Sequence, residues 1–238
     1  MNLIVDIGNT RIKTAFYSGN NLIKLNVCEN NDDIFSNDLI SQCSNIIIGS
    51  VVNEIDVIFS ELSKIKPTLL FSSHTKIPIK NNYQSLSTLG SDRIAASVGA
   101  YYLYQNKNVL VIDAGTCIKF NFTNSANEYL GGGISPGIAM KFKALHQFTS
   151  KLPLIKKELT GTDLIGTNTE SSILSGVLNG TCSEIDGIIN SYKEKYPDLI
   201  CILTGGDSPY LTNHLKNSIF THPNLVLKGL NDILNYNT

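Results

Sequence analysis

Short apolar runs alternate with polar breaks along the chain, and three such runs follow one another at its start. Strict alternation of apolar and polar residues predicts strands, whereas apolar residues three and four positions apart predict an amphipathic helix. Residues 80–89 are polar and aperiodic, so we expect a loop there. In the first half the pattern predicts strands at residues 2–6, 13–18, 22–26, 46–48 and 68–71 and helices at residues 32–43, 55–65 and 91–104.

The same order of elements begins again in the second half of the chain. The alternative to a duplication is a single mixed α/β sheet in which two Asp-x-Gly turns occur by coincidence. We expect an α/β fold with two duplicated domains, residues 1–106 and 107–238, and only short elements after a Gly-rich turn at 205–207. In the second half the pattern predicts strands at residues 109–112, 117–122, 128–134 and 199–203 and helices at residues 137–147 and 170–192.

One motif occurs in both halves, each time between two strand-like runs. The first copy runs from Asp6 to Lys13 as Asp-Ile-Gly-Asn-Thr-Arg-Ile-Lys, and the second from Asp113 to Lys119 as Asp-Ala-Gly-Thr-Cys-Ile-Lys. A tight glycine-bearing turn between paired strands presents backbone N–H groups and a Thr hydroxyl beside a carboxylate. We expect Gly8 to take a positive φ angle, and the two turns to hold a triphosphate and its counter-cations between them.

Composition and charge exclude several classes of protein. The 238 residues are 42% apolar and 16% charged, with a net charge of −1 and no basic cluster, so we expect no nucleic-acid partner. No apolar stretch approaches the roughly 20 residues that span a bilayer, and no leader pattern precedes the first strand. We therefore expect no membrane partner and a cytoplasmic location. The five cysteines are dispersed, and the four histidines lack metal-ligand spacing.

Further motifs lie between and after the two copies. They are Leu89-Gly90-Ser91-Asp92-Arg93, then Gly131-Gly132-Gly133-Ile134 with Pro136-Gly137, then Lys151-Leu152-Pro153. Together with the repeated motif, this series resembles the type III pantothenate kinases, which belong to the acetate/sugar kinase, Hsp70 and actin superfamily. The resemblance implies an α/β fold of two duplicated ribonuclease-H-like domains, of the actin-like ATPase type, with a nucleotide cleft between them.

The resemblance also implies a reaction, its ligands and an assembly. The reaction transfers the ATP γ-phosphoryl group to pantothenate and gives 4′-phosphopantothenate, in the first step of coenzyme A biosynthesis. Mg²⁺ would accompany ATP, a monovalent cation (K⁺ or NH₄⁺) would bind at Asp113, and the chain would form a homodimer through its second half. The alternatives are another small-molecule kinase of the same superfamily and a non-catalytic nucleotide-binding regulator on this fold.

The implied nucleotide site is the first turn together with one residue of the second. A bare carboxylate repels phosphate, so Asp6 serves best by orienting the water molecules around Mg²⁺. Arg11 and Lys13 either neutralise phosphate charge or are exposed strand charges, and the sequence leaves both open. The implied ATP-binding residues are Asp6, Ile7, Gly8, Asn9, Thr10, Arg11, Ile12, Lys13 and Thr116.

Asp92 is the candidate general base, since a carboxylate beside Arg93 can accept the proton of the attacking hydroxyl. Its alternative role is the N-cap of the helix predicted to begin there. Arg93 would pair with the carboxylate of pantothenate, because a guanidinium binds a carboxylate through two hydrogen bonds. Its alternative role is a structural ion pair with a nearby Asp.

Tyr83 and Thr169 complete the substrate site that the resemblance implies. Tyr83 would otherwise be a surface packing residue, and Thr169 would otherwise cap the helix that follows it. Asp113, the candidate ligand of the monovalent cation, has the alternative role of capping its own turn. The implied substrate-binding residues are Tyr83, Gly90, Ser91, Asp92, Arg93 and Thr169.

Overall fold

The computed structural model describes residues 1–52, 55–156 and 161–238. Its strands are β1 (Asn2–Ile7), β2 (Ile12–Ser18), β3 (Asn21–Cys28), β4 (Asn45–Ser50), β5 (Thr68–Leu70), β6 (Lys80–Asn81), β7 (Val109–Ala114), β8 (Cys117–Thr123), β9 (Glu128–Gly131), β10 (Ile134–Pro136), β11 (Ile200–Thr204) and β12 (Phe220–Thr221). Its helices are α1 (Asp56–Ile65), α2 (Ser91–Leu103), α3 (Ile138–Gln147), α4 (Thr169–Lys195), α5 (Ser208–Thr212) and α6 (Leu225–Asn237).

The chain forms two compact units that are not continuous in sequence. The first unit contains residues 1–106, 123–131 and 224–238, and the second contains residues 107–122 and 132–223. The predicted division into residues 1–106 and 107–238 differs from these two units in two segments. One segment carries β9, which pairs in parallel with β6, and the other is helix α6, where the sequence predicted only short elements.

The first unit is built on a five-stranded sheet with the order β3-β2-β1-β4-β5. Strands β1 and β2 are antiparallel, with Asp6 opposite Lys13, whereas β1 and β4 are parallel, with Ile7 opposite Ser50. The central strands are continuous runs of buried aliphatic residues, because apolar clusters cover both faces of this sheet. This register brings the carboxyl ends of β1 and β4 to the same edge.

Helices α2 and α6 of the first unit pack closely because both carry glycine at their contact. A Cβ atom on Gly229 would lie 1.7 Å from the carbonyl oxygen of Ala95, and one on Gly99 would lie 2.8 Å from that of Leu225. The hydrophobic residues Leu227 and Leu230 of α6 belong to the buried cluster on this face. Packing against α2 thus stabilises a helix that its own sequence predicts only weakly.

The segment predicted as a helix at residues 32–43 forms two separate 3₁₀ turns instead, Asn31–Ile34 and Asp38–Gln42. An asparagine side chain begins each turn: Asn30 Oδ1 accepts from the N–H of Asp33 at 3.2 Å, and Asn37 Oδ1 from that of Leu39 at 3.1 Å. Asn37 therefore interrupts the segment, because its side chain competes with helical hydrogen bonds. The apolar residues still face the core, which explains their helix-like spacing.

In the second unit the strand order is β12-β11-β7-β8, with β10 antiparallel to β8. Helices α3 and α4 cover the face that carries Ile112, Ile118 and Phe120. The single strand predicted at residues 128–134 is divided into β9 and β10. The division falls at Gly132, whose φ of 148° suits glycine and whose Cβ atom would lie 2.0 Å from the Phe120 carbonyl oxygen. No helix in the described ranges is both long enough and apolar enough to cross a membrane.

Candidate active site

The first repeated turn joins β1 to β2 and is closed by a hydrogen bond from the N–H of Gly8 to the carbonyl oxygen of Arg11, at 3.1 Å. Gly8 does not have a positive φ angle, so that expectation is wrong. Glycine fits there because a Cβ atom would lie 3.1 Å from the same carbonyl oxygen. The tip, at Asn9, Thr10 and Arg11, is exposed, whereas Lys13 is half-buried.

Helix α2 begins at the sheet edge where β1 ends. The hydroxyl of Ser91 donates to the carbonyl oxygen of Ser50 at 2.8 Å, and Ser50 lies opposite Ile7 in the parallel pair of β1 and β4. The helix start and the first repeated turn therefore meet at one edge of the first unit. This arrangement brings the Gly90–Arg93 motif and the turn of Asp6 to the same edge.

Asp92 is the second residue of α2, and Gly90 rather than Asp92 occupies the N-cap position. The alternative role of Asp92 as N-cap is therefore wrong. Its Oδ1 accepts the backbone N–H of Arg93 at 2.8 Å, and the positive end of the helix dipole favours a carboxylate in this first turn. A Cβ atom on Gly90 would lie 2.6 Å from Asp92 Oδ1. Glycine is thus required for the present position of the carboxylate.

Arg93 and Tyr83 contact each other in two ways. The guanidinium donates from Nη1 to the Tyr83 hydroxyl oxygen at 3.4 Å, and its central carbon lies 5.4 Å from the centre of the tyrosine ring. Only 4% of Arg93 is exposed. Tyr83 is held in turn by the Asn81 side chain, which accepts its N–H at 3.1 Å. The loop tyrosine therefore packs against the arginine of the motif.

Gly131 leaves room for the Tyr83 ring. Its φ is 101°, in the region that favours glycine, and a Cβ atom there would lie 3.0 Å from the Tyr83 ring carbons. Tyr129, which is fully buried, lies next to the same ring at 6.1 Å between centroids. The glycine run is visible in the sequence, but its pattern does not indicate that its first member leaves room for Tyr83.

The second repeated turn joins β7 to β8 and is closed by a hydrogen bond from the N–H of Gly115 to the carbonyl oxygen of Cys117, at 3.0 Å. Thr116 is exposed at its tip. The N–H of Gly137 donates to the carbonyl oxygen of Thr116 at 3.1 Å, and a Cβ atom on Gly137 would lie 2.0 Å from that of Gly115. The glycine before α3 therefore supports this turn by close backbone contact.

Asp113 is the next-to-last residue of β7, and it lies close to two charged residues, Lys119 and Asp207. The ammonium nitrogen of Lys119 is 2.7 Å from Asp113 Oδ2. Asp207 follows the Gly205-Gly206 turn, and its pKa is raised to about 6, mainly by burial and then by the negative charge of Asp113. Lys119 ends the second copy of the motif as Lys13 ends the first, and this repeat is the signal that could have identified it.

Gly205 has a φ of 97°, and a Cβ atom there would lie 2.2 Å from the carbonyl oxygen of Ala114. The N–H of Asp207 donates to the same oxygen at 3.0 Å. These two contacts bring the Gly-Gly-Asp turn against the end of β7, next to Asp113. In the part of the chain that the structure describes, no cluster of three or more His, Cys, Asp or Glu side chains could hold a metal ion.

Thr169 is the first residue of α4, and Asn168 is its N-cap, so the alternative role of Thr169 as the cap is wrong. Asn168 Oδ1 accepts the N–H of Ser171 at 2.9 Å. Thr169 is exposed and lines a groove of ≈ 900 Å³ between α3 and α4. The groove is mostly apolar, with Leu145 and Phe148 among its lining residues.

The structure thus places the expected site residues in two groups. The first unit brings together the turn of Asp6, the start of α2 and Tyr83. The second unit brings together Asp113 and Thr116 in one hairpin and carries Thr169 at the start of α4.

Several solved structures share the fold of this chain. A protein from Campylobacter jejuni described as a Baf family transcriptional activator superimposes with a TM-score of 0.65 at 22% identity, over 99% of this chain and 98% of that one. An inorganic polyphosphate/ATP-glucomannokinase from Arthrobacter sp. strain KM gives 0.51 at 12% identity, over 100% of both chains. The fold is therefore the α/β, two-sheet architecture of the actin-like ATPases.

Sequence comparison identifies the family within this class. A family model described as Type III pantothenate kinase matches residues 2–191. The type III pantothenate kinase of Bacteroides fragilis strain YCH46 is 43% identical over 241 aligned residues, which cover 100% of this chain and 98% of that protein. The chain belongs to the type III pantothenate kinase family.

Proposed function

We propose that this chain is a pantothenate kinase that transfers the γ-phosphoryl group of ATP to the terminal hydroxyl of pantothenate. The product is 4′-phosphopantothenate, in the first step of coenzyme A biosynthesis. The observation that carries this proposal is the carboxylate of Asp92 in the first turn of α2, next to the paired Arg93 and Tyr83. Full-length similarity to the family supports the same reaction.

Asp92 is the general base of this proposal. Phosphoryl transfer needs alignment and charge neutralisation more than covalent chemistry from the protein, and a carboxylate can take the proton of the hydroxyl as it attacks. The N–H of Arg93 and the glycine at position 90 fix where that carboxylate lies. A fixed base requires less rearrangement before the reaction than a mobile one.

Arg93 and Tyr83 bind the carboxylate of pantothenate in this assignment. A guanidinium offers a planar pair of donors to a carboxylate, and stacking on the Tyr83 ring limits the directions in which that pair points. Gly90, Ser91 and Thr169 are the other proposed contacts with pantothenate. The supporting observations are the position of Ser91 against Ser50 and the exposure of Thr169 at the start of α4.

ATP is bound by the two repeated turns in this proposal. The first supplies Asp6, Ile7, Gly8, Asn9, Thr10, Arg11, Ile12 and Lys13, and the second supplies Thr116. Asp6 fits the role of orienting Mg²⁺ and its waters, because Mg²⁺ is commonly bound through one or two carboxylates together with substrate phosphates. The exposed tip of each turn supports access for phosphate.

The monovalent cation expected at Asp113 stays a prediction, and the local geometry opposes it. The Lys119 ammonium lies 2.7 Å from Asp113 Oδ2, so a second cation on that oxygen would be repelled by the first. The donor set around Asp113 does not fit K⁺ or NH₄⁺ while Lys119 is in place.

A homodimer formed through the second half and a cytoplasmic location also remain part of the proposal. The groove between α3 and α4 supports the dimer, because Phe148 at its rim is 82% exposed and Met140 of α3 is 37% exposed. Large apolar patches of this kind often mark interfaces.

The direct test is ATP turnover with pantothenate and with a panel of other alcohols, including sugars, as acceptors. We expect phosphorylation of pantothenate and little ATP consumption without it. Phosphorylation of a sugar instead would support the other small-molecule kinase. Nucleotide binding with no phosphorylated product would support the non-catalytic regulator.

A further inference from the structure

The two repeated hairpins place a lysine at equivalent positions. The N–H of Gly8 bonds to the Arg11 carbonyl oxygen in the first, and that of Gly115 bonds to the Cys117 carbonyl oxygen in the second. In each hairpin an aspartate lies two residues before the glycine, and a lysine lies two residues after the residue whose carbonyl accepts the bond. Lys119 therefore corresponds to Lys13, although the first turn contains one more residue.

Lys119 and Asp113 form a largely buried ion pair in the second unit. Their side chains are 19% and 12% exposed, with 2.7 Å between Nζ and Oδ2. The neighbouring residues Ile112, Ile118 and Phe120 face the apolar cluster of α3 and α4. Because side chains alternate along a strand, Asp113 and Lys119 lie on the opposite face of the sheet, on the same hairpin as Thr116.

We propose that the Lys119 ammonium supplies the positive charge that the resemblance assigns to a monovalent cation at Asp113, so that this kinase does not require K⁺ or NH₄⁺. This proposal rests on the proposed kinase function. It states that the side chain of Lys119, and not a free cation, provides the positive charge beside the turn of Thr116.

An ammonium group on a side chain can replace a free monovalent cation for simple reasons. It has the same unit charge, and its three N–H donors bind oxygen atoms as a small cation does. It is part of the chain, so it is present at any salt composition. Fixed positive charge close to the transferred phosphoryl group stabilises the charge that develops in the transition state.

Asp207 adds to the need for a positive charge at this position. The N–H of Asp207 donates to the carbonyl oxygen of Ala114, the residue after Asp113, at 3.0 Å, so this acidic residue lies next to the end of β7. Without Lys119, the two carboxyl groups would be left with unbalanced negative charge near the turn that is proposed to bind phosphate. A free cation that bound there would then neutralise part of this negative charge.

The test compares pantothenate kinase activity in KCl, NH₄Cl and tetramethylammonium chloride at matched ionic strength. We expect the wild-type kcat/KM to agree within about twofold among the three salts. Lys119→Ala removes the ammonium and leaves space, so its activity in tetramethylammonium chloride should fall by about tenfold or more, a factor that corresponds to about 1.4 kcal/mol. K⁺ or NH₄⁺ should restore part of it.

Two further variants separate charge from fold. Lys119→Met fills the space without the charge, so it should lose activity and regain little with K⁺. Lys107→Ala removes an exposed lysine of the same unit and should behave as the wild type does in all three salts. A wild-type enzyme that is inactive without K⁺ would overturn the proposal, as would a Lys119→Ala variant as active and salt-insensitive as the wild type.

Failure of the kinase function itself gives a different result, which is no pantothenate phosphorylation in any salt. The thermal unfolding midpoint with Mg²⁺ and ADP then decides the cation question without turnover. We expect KCl, relative to tetramethylammonium chloride, to raise the midpoint of Lys119→Ala and to leave that of the wild type unchanged. A rise in the wild type equal to that of the variant would overturn the proposal.

Discussion

The guanidinium of Arg93 lies over the ring of Tyr83, 5.4 Å from its centre, although ten positions separate the two residues in the chain. Arg93 is on the first turn of α2, and Tyr83 is in the irregular segment before it. A residue of the family motif is thus oriented by a loop residue, and both are assigned to the carboxylate of pantothenate.

Replacing Arg93 with lysine tests that assignment. Lysine keeps the charge but lacks the planar pair of donors, so we expect the KM for pantothenate to rise about tenfold or more. The KM for ATP should change little. Steady-state kinetics with each substrate varied in turn measures both. An unchanged KM for pantothenate would contradict the role of Arg93.

Replacing Gly90 with alanine tests the position of Asp92. The backbone of Gly90, with φ of −59° and ψ of 135°, suits any residue. Among the residues that the structure describes, the only direct conflict is the 2.6 Å contact between a new Cβ atom and Asp92 Oδ1. We expect kcat to fall about tenfold or more, because a displaced catalytic group loses alignment, while the protein remains folded.

Gly180→Ala is the matched control for that variant. Gly180 lies within α4, and no atom in the described part of the chain lies within 4 Å of a Cβ atom there. We expect unchanged activity and a slightly higher free energy of unfolding, by up to about 1 kcal/mol. Equal kcat values for Gly90→Ala and Gly180→Ala would show that the Gly90 contact does not position the base.

Most of the longer strands were predictable because their pattern depends on local residues, whereas the two-residue strands β6 and β12 were not predicted. The buried aliphatic runs of β1 and β4 gave their bounds to within two residues at each end. The prediction of a helix at residues 32–43 was wrong. The apolar spacing there is helical, but Asn30 and Asn37 each begin a separate 3₁₀ turn. Helix α6 was not predicted because it depends on contact with α2, which lies more than 100 positions away in the chain.

The parts of the candidate site that carry a sequence motif were predictable. The parts that depend on contacts between distant segments were not. The repeated turns and the Gly90–Arg93 motif were visible in the sequence. The support of Tyr83 by Gly131 and the proximity of Asp207 to Asp113 arise from contacts between distant segments. A lysine on a strand resembles an exposed surface charge, so Lys119 was not assigned.

The exposed apolar rim of the α3–α4 groove predicts that two copies of the chain associate there as a homodimer. Phe148→Glu places a charge where Phe148 is 82% exposed, so we expect the homodimer to dissociate because burying an unpaired charge in an interface is costly. Light scattering measures the mass. Val57→Glu, at a residue of α1 that is 76% exposed, is the control and should remain a dimer. A wild-type monomer at working concentrations would contradict the predicted dimer.

Asp207 predicts a pH dependence of stability. Its pKa of about 6 in the folded protein is above the ordinary value of 3.8, so between these two values the folded state binds more protons than the unfolded state. The free energy of unfolding must then decrease as pH rises through this window. Above the folded pKa, the contribution becomes constant at its least favourable value.

Urea unfolding of the wild type and of Asp207→Asn across that window measures the contribution. We expect the stability of the wild type, relative to the variant, to decline as pH rises from near 3.8 to near 6. Parallel plots of the free energy of unfolding against pH for the two proteins would show that burial and Asp113 do not raise the pKa of Asp207.

The kcat of Asp92→Asn tests whether Asp92 is the base for phosphorylation of pantothenate. Asparagine retains the size of the side chain but cannot accept the proton, so we expect a kcat lower by about 10² to 10⁴. An unchanged thermal unfolding midpoint and retained ATP binding would show that the fold is intact. A folded Asp92→Asn protein that phosphorylates pantothenate at the wild-type rate would show that Asp92 is not the base.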